Sequence, residues 1–325
     1  MAVITEETLD TPQALASRQA RRLVIQDRIF YYLTLASAVF VVVMLIGVMV
    51  SLVVGAWPAL AKFGPSFVWT QRWSSVKEIF GALPPIYGTI ITSLIAMVIG
   101  IPVSFGIAIF LTEICPQSLR RPIGVAIELL AGIPSIIYGL WGFFFLAPFM
   151  AQWVQPALGA SLGKIPGIGL VFTNSASGLN LFTAGIILAI MVLPFITSIT
   201  RDVFQTVPVL LRESAYGMGM TTWEVVRHIV IPYTRVGLVG GIMLGLGRAL
   251  GETMAVTFVI GNSHNISASL LAPATTISAT IANEFAEATT GIYTSSLIAL
   301  GLVLSVITFA VLGLAKWLLI RSDVK

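Results

Sequence analysis

The chain has 325 residues, of which 57% are hydrophobic and 10% are charged, and its net charge is +4. About a quarter of the residues of a soluble domain are charged, so this composition excludes an ordinary soluble protein and predicts one that crosses a membrane several times. The single cysteine, Cys115, excludes an internal disulfide, and two widely separated histidines argue against a metal site. The basic residues cluster at the ends of apolar segments, a pattern that membrane topology explains without nucleic acid.

Six apolar stretches follow a polar start. Residues 1–27 are of mixed charge and predict a flexible cytoplasmic tail, with a short interfacial helix at its end as an alternative, and residues 28–325 are predicted to form a transmembrane domain. Each stretch is long enough for a bilayer core, which a helix of ~20 residues spans. The predicted spans are residues 29–56, 87–112, 122–148, 179–200, 236–260 and 293–320. The predicted fold class is therefore an all-α polytopic membrane protein with six transmembrane helices.

The distribution of basic residues predicts the orientation. With the N-terminus inside, 13 of the 18 Lys and Arg residues lie on the inner side, and the outer side has four: Lys62, Arg72, Lys77 and Lys164. Basic residues are enriched in cytoplasmic loops. We therefore expect both termini, and a loop formed by residues 201–235, to be cytoplasmic.

Proline and glycine mark the spans that are expected to bend or to pack closely. Pro102, Pro134 and Pro194 lie inside predicted spans, where proline removes a backbone hydrogen bond and opens the helix. Each alone fits a packing kink, but three together favour a bundle that surrounds a pathway. The fifth span carries five glycines, which predict close helix packing. They are Gly237, Gly240, Gly241, Gly245 and Gly247.

The outer segments give weaker signals. Residues 149–178 are apolar but rich in glycine and proline, which predicts short half-buried segments. Asn283, Glu284 and Glu287 fall in an outer loop, residues 261–292. They could receive a soluble binding protein, but an ordinary solvated surface is the favoured interpretation.

The loop between the fourth and fifth spans has a recognisable pattern. It contains Glu213-Ser214-Ala215-Tyr216-Gly217-Met218-Gly219 and, after nine more residues, Ile229-Val230-Ile231-Pro232. We predict a first short helix after Pro208, ended by the glycines, and a second that opens at Thr221 with Glu224 in a capping box. Pro232 is expected to stop the second helix. Such a compact helical pair suits docking into a groove on a soluble partner.

This spacing resembles the EAA loop of ABC importer permeases, with Ser214 in place of the middle alanine and Ile231 in place of the leucine. The resemblance implies that the loop couples the chain to an ATP-hydrolysing subunit. The residues that it assigns to coupling are Glu213, Ala215, Gly219, Ile229, Ile231 and Pro232. The chain itself has no phosphate-binding P-loop, so we expect no enzyme activity and no cofactor on it, with ATP and magnesium on the partner ATPase.

A narrower resemblance comes from other segments. Residues 248–262 read RALGETMAVTFVIGN, and residues 128–135 read ELLAGIPS. Both are similar to the PstC-type permeases of phosphate-specific ABC importers. The resemblance implies a type I importer permease (MetI-like) fold in the inner membrane of a prokaryote. It also implies a second permease subunit of the PstA type, two copies of an ATP-binding subunit of the PstB type and an extracytoplasmic phosphate-binding protein of the PstS type.

Arg248 is the most informative single residue. It lies in the middle of the predicted fifth span, where an arginine costs about 2.5–3.5 kcal/mol on insertion scales and therefore needs protein, water or a partner around it. Glu252 is four residues on, so a continuous helix would place both on one face. One interpretation is a shielded structural pair. The other is a site at which Arg248 meets a passing anion while Glu252 partly neutralises it, which is the role that the family resemblance implies.

Three hydroxyl side chains complete the predicted substrate pathway with Arg248 and Glu252: Thr253, Thr257 and Ser135. Two other functions remain open at this point. The permease could carry another oxyanion, sulfate or molybdate. Alternatively, the chain could be a secondary transporter with Arg248 and Glu252 as its substrate and proton sites, although no internal repeat is obvious.

Overall fold

The computed structural model describes residues 12–161, 163, 165, 169–172 and 177–323. Among these residues the regular secondary structure is helical, apart from one isolated β-bridge between Ser74 and Ile79. The helices are α1 Pro12–Phe63, α2 Ser66–Trp69, α3 Leu83–Ile114, α4 Gln117–Ala131, α5 Ser135–Ser161, α6 Leu181–Gln205, α7 Val209–Gly217, α8 Thr222–Leu250, α9 Met254–Thr257, α10 Ile277–Glu284 and α11 Gly291–Asp323. Turns of π-helix interrupt the α-helical pattern of α3, α5 and α8.

The described residues contain six helices that are long and apolar enough to cross a membrane, which confirms the predicted number. They are α1, α3, α5, α6, α8 and α11. The chain divides into two compact units, residues 1–54 and residues 55–325. In the described part of the first unit, the chain is α1 alone.

Three predicted boundaries are wrong. The helix α1 begins at Pro12, so residues 12–27 continue the first span as one long helix and do not form a tail with only a short helix at its end, whereas residues 1–11 lie outside the described residues. The predicted third span, residues 122–148, is two helices, because Pro134 disfavours a helical Ile133 and Gly132 ends α4. The predicted fifth span, residues 236–260, ends ten residues early, at Leu250.

The prediction for residues 149–178 also changes. The helix α5 continues to Ser161, so the first part of residues 149–178 is helical, and only a short 3₁₀ turn, Gly169–Phe172, follows before α6 in the described part. Pro166 and Gly167, which contributed to that prediction, lie outside the described residues.

The core is built on α3 and α6, which pack along each other. Ala96 and Met97 of α3 meet a fully buried face of α6 that includes Ile187, Leu188 and Val192. Pro102 and Pro194 lie within these two continuous helices. The helix α8 packs on the other part of α6, through glycines at four-residue spacing.

Residues 251–290 fold back into the core. Leu271 and Ile277 in this segment are completely buried, and the Leu181 and Phe182 N–H groups at the start of α6 donate to the carbonyls of Ala272 and Leu270. The close approach also explains Gly88, because a Cβ there would collide with the Thr275 carbonyl. The segment is therefore a buried connection that fixes the ends of α3 and α6.

Candidate functional site

The break between α4 and α5 is the first component of the site. The Tyr138 hydroxyl, one turn into α5, donates to the Leu130 carbonyl in the last turn of α4 at 2.8 Å. The N–H groups of Gly132 and Ile133 donate to the Leu129 and Leu130 carbonyls in turn-like bonds. These bonds hold the backbone through the break. The helix α5 begins at Ser135, and its first N–H groups do not take part in the hydrogen bonds between successive turns of the helix.

The end of α8 is the second component. Arg248 lies in the last turn, and the Gly251 N–H closes the helix on the Gly247 carbonyl at 3.3 Å. Glu252 follows the helix end, and its Oε1 accepts from the Ala255 N–H at 3.3 Å, so it satisfies one of the first N–H groups of the short helix α9, whose N-cap residue is Thr253. The predicted shared helical face of Arg248 and Glu252 is therefore wrong, because the helix stops between them. No ion pair joins them in the described part of the chain.

Arg248 points to an aromatic neighbour. Its Cζ lies 5.5 Å from the centre of the Phe195 ring on α6, within the range of a cation–π contact. Tyr138 is near enough to interact electrostatically with the guanidinium. The side chain of Arg248 is exposed in the isolated chain. A permanent positive charge thus lies open beside the break between α4 and α5.

The two components are adjacent because α9 packs on α5. At Gly139 the α5 backbone passes so close to α9 that a Cβ would lie 3.0 Å from the Met254 carbonyl oxygen and 2.8 Å from the Phe258 ring. Two interrupted helices therefore meet beside Arg248. In membrane proteins such discontinuous helices occur where backbone groups line a polar cavity.

The three predicted hydroxyls have different surroundings. The Thr257 hydroxyl donates to the Thr253 carbonyl at 2.7 Å, and the Thr253 hydroxyl donates to the Gly251 carbonyl at 3.4 Å. Both therefore satisfy their own backbone. Ser135 is half-buried at the first position of α5, one helical turn before Tyr138. Sequence reasoning did not assign Tyr138 or Phe195 to the site, although Tyr138 shares the Ser135 face by its spacing of three.

The loop of residues 201–235 has the predicted helices but not the predicted end. The helix α7 runs to Gly217, Gly219 has a left-handed φ of +84°, and Thr221 and Glu224 form the predicted capping box. Pro232 does not end the second helix. A π-helical turn, Val226–Val230, precedes it and shifts the hydrogen-bonding register, so the chain continues as α8 to Leu250.

The residues assigned to coupling fall on two sides of this loop. Ala215 is buried with Val225 and Val230 against the ends of α3 and α6, and Ile229 and Ile231 pack beside them. Glu213, Gly219 and Pro232 are exposed. Sequence reasoning missed the large apolar side chains on the outer surface of the loop: Leu210, Met218 and Trp223 are 72%, 71% and 63% exposed. We call these three the exposed loop face; large apolar side chains exposed on one short loop are typical of an interaction site.

An ion pair fixes the loop to α3. Arg212 of α7 places its Nη1 3.1 Å from Oε1 of Glu113, whose side chain is 4% exposed, and donates from Nη2 to the Phe204 carbonyl. One guanidinium therefore joins the loop to the ends of both central helices.

Glu284 is not part of a solvated surface, contrary to prediction. Its carboxylate accepts from the Trp73 indole at 2.7 Å and the Tyr293 hydroxyl at 2.6 Å, and it lies 2.7 Å from His264 Nε2. Burial acts to raise the pKa of Glu284, but these hydrogen bonds outweigh it and hold the pKa below its ordinary value. Asn283 and Glu287 are exposed, as expected.

Comparison with known proteins identifies the family. Residues 100–322 match the model of the binding-protein-dependent transport system inner membrane component. The phosphate transport system permease protein PstC of Mesorhizobium japonicum is 61% identical over 316 residues, which is 97% of each chain. The PstC of Pasteurella multocida is 52% identical over 299 residues, 92% of this chain and 93% of its own. The chain belongs to the PstC permease family.

Solved structures support the fold of this PstC family member. A permease chain of the bacterial ABC transporter that imports alginate aligns with a TM-score of 0.59 over 93% of this chain and 99% of its own, at 15% identity. A chain of the inward-facing MetNI methionine ABC transporter aligns with a TM-score of 0.53 over 73% of this chain and 94% of its own, also at 15% identity. The protein is thus a multi-pass permease subunit of an ABC importer with the MetI-like fold.

Proposed function

We propose that this permease forms half of the pathway by which inorganic phosphate crosses the membrane, and that Arg248 is the group that receives the anion. The observation that carries the proposal is the position of Arg248: its guanidinium is exposed at the meeting point of two interrupted helices and is in ion-pair contact with no carboxylate among the described residues. The PstC name of the relatives supports phosphate as the substrate.

The chemistry of the site suits a brief stop. A guanidinium remains charged at every physiological pH and matches two phosphate oxygens at once. The Phe195 ring attracts the guanidinium of Arg248 weakly. The first N–H groups of α5 attract an anion weakly. Glu252 has a different role from the one that the sequence predicts: its bond to the Ala255 N–H keeps the backbone turn after α8 in place, and so it positions Arg248 without neutralising it.

The energy comes from a separate subunit in this proposal. The exposed loop face docks on an ATPase, which holds ATP and magnesium, and Ala215, Ile229 and Ile231 anchor that face to α3 and α6. The inner side of the membrane is then the side of this loop, with both termini cytoplasmic, as the basic residues predict. A PstA-type permease completes the pathway, two PstB-type subunits supply the ATPase, and a PstS-type protein delivers phosphate.

Reconstitution tests this proposal. Proteoliposomes that contain the chain, a PstA-type permease and the ATPase should take up radiolabelled phosphate from the binding protein only when ATP is present, and excess sulfate or molybdate should not compete. Uptake by vesicles that lack the ATPase would favour a secondary transporter. Equal uptake of sulfate or molybdate would instead favour the general oxyanion permease.

A further inference from the structure

A polar pocket lies where the start of α4 meets the end of α6, directly before the coupling loop. Its volume is about 410 Å³. Its walls carry three arginines, two glutamines, one glutamate and one valine: Arg120, Arg121, Arg201, Gln117, Gln205, Glu128 and Val125. The site described above does not use these residues.

The pocket is formed by one face of α4 and by Arg201. Gln117, Arg121 and Val125 follow at four-residue spacing and so share a helical face. Arg201 reaches this face from α6, and its guanidinium lies on Gly124, where a Cβ would collide with Nη1. The close approach of the arginine thus depends on the absence of a side chain at Gly124.

Arg201 is at present bound to carboxylates. Its Nη2 lies 2.6 Å from Glu128 Oε1 and 3.2 Å from Asp202 Oδ1. Arg120 donates instead to the Thr112 and Cys115 carbonyls before α4. Arg121 is exposed and makes no ion pair with any residue that the structure describes. Three arginines therefore line the pocket, against one carboxylate in its wall, Glu128, and a second, Asp202, beside Arg201.

We propose that this pocket binds a phosphate-group anion. Arg121 and Arg201 bind its oxygens, the Gln117 and Gln205 amides add hydrogen-bond donors, and the anion displaces Glu128 from Arg201. Arginine pairs of this kind recognise phosphoryl oxygens through charge-assisted bonds. The anion is either free phosphate, released after transport, or the head group of an anionic phospholipid. The first source rests on the proposed function; the second does not.

Opposite effects of two substitutions test the phosphate source. The assembled importer without its soluble binding protein is studied with Arg248→Gln as background, so that phosphate bound at Arg248 does not contribute. Equilibrium dialysis with radiolabelled phosphate should show that Arg121→Gln weakens binding at least about tenfold, because a charged hydrogen-bond donor is lost. Glu128→Gln should strengthen binding, because the competing carboxylate loses its charge. Lys316→Gln, which removes an exposed positive charge elsewhere, should change nothing.

Lipid retention tests the second source. The same assembly is placed in bilayers of phosphatidylcholine with and without phosphatidylglycerol, and native mass spectrometry counts the phosphatidylglycerol molecules that remain bound. Fewer retained molecules in Arg121→Gln than in Lys316→Gln would identify the lipid head group. If Arg121→Gln changes neither phosphate binding nor lipid retention, or if Glu128→Gln weakens both, the proposal is wrong. Neither readout depends on transport, so a failure of the proposed function would be seen separately.

Discussion

At the residue scale, Glu284 shows how a single carboxylate organises the outer end of the molecule. Trp73 precedes α3, His264 lies in the buried segment after α8, and Tyr293 begins α11, yet all three contact this side chain. Trp73 also stacks on the His264 ring at 5.3 Å. Sequence reasoning took Glu284 for a surface residue because its partners lie up to 211 positions away and share no local pattern with it.

Glu284→Gln should reduce stability. Hydrogen bonds to a charged group contribute about 1.5–3 kcal/mol, and the amide can no longer accept equally well from all its donors. We expect a lower thermal unfolding midpoint for the purified protein, with Glu287→Gln, an exposed carboxylate in the next turn, as the matched control. Equal midpoints for both variants and the wild type would show that the cluster adds no stability.

The same carboxylate predicts a pH dependence. Because the pKa of Glu284 is lower in the folded protein than its ordinary value of 4.5, its stabilisation is complete above that ordinary value and is lost as the pH falls through the lower folded pKa. The difference in unfolding midpoint between wild type and Glu284→Gln should therefore shrink as the pH falls below about 4.5. A difference that grows on acidification would contradict the assigned hydrogen bonds.

At the element scale, α8 is held to α6 by glycines. A Cβ on Gly237 would lie 2.7 and 2.9 Å from the two γ-methyl groups of Val203, and a Cβ on Gly241 or Gly245 would meet an isoleucine at a similar distance. Gly240 has no neighbour within 4 Å. The sequence predicted close packing for all five glycines, but only the interhelical contacts decide which of them need it.

Gly237→Ala and Gly240→Ala form a matched pair. Both gain about 1 kcal/mol of helix propensity, but only the first introduces a methyl group against a stiff β-branched neighbour. The methyl group of Gly237→Ala should cost roughly 1–3 kcal/mol of packing energy. This cost exceeds the gain in helix propensity over most of its range, so we expect a lower free energy of unfolding for this variant. Gly240→Ala should leave the free energy of unfolding unchanged or raise it. Denaturant titration of both variants checks this. Equal free energies of unfolding for the two variants would mean that α8 and α6 move apart at little cost to admit the methyl group at position 237.

The Arg212–Glu113 ion pair is predicted to hold the coupling loop on α3. Breaking a buried pair on one side costs about 3–5 kcal/mol, because the remaining charge loses its partner. Arg212→Glu should therefore loosen the loop and reduce ATP-dependent uptake, and the double variant Arg212→Glu with Glu113→Arg should restore part of it. A double-mutant cycle compares the uptake of the double variant with that expected from adding the effects of the two single variants. If the effects simply add, the two residues do not act together.

How far the sequence predicts each element depends on whether local chemistry decides it. The Thr221–Glu224 capping box and the short helix after Pro208 follow from neighbouring residues and appear as predicted. The end of α8 does not: residues 251–260 continue the apolar stretch, but the helix stops, and Ala255, Val256, Val259 and Ile260 are buried in the core with residues of α6. Apolar composition alone cannot distinguish burial in lipid from burial in protein.

At the scale of the whole molecule, Arg248 is an exposed cation at the end of α8, beside the break between α4 and α5. The connection of residues 251–290 begins directly after this end of α8. The candidate site depends on that arrangement, because neither Arg248 nor Tyr138 is distinctive as a surface residue alone. The sequence identified Arg248 from its energetic cost in an apolar stretch. It could not give the roles of Glu252 or Phe195, since these depend on where α8 ends and on which face of α6 it meets.

The central claim is that Arg248 receives the transported anion. The most direct measurement is ATP-dependent phosphate uptake by reconstituted importers that carry Arg248→Gln, compared with wild type and with Lys316→Gln. We predict that Arg248→Gln assembles normally but takes up phosphate at least about tenfold more slowly than wild type, because a charge-assisted hydrogen bond to the anion is lost. Lys316→Gln should transport phosphate at the wild-type rate. Wild-type phosphate uptake by an assembled Arg248→Gln importer would contradict the account.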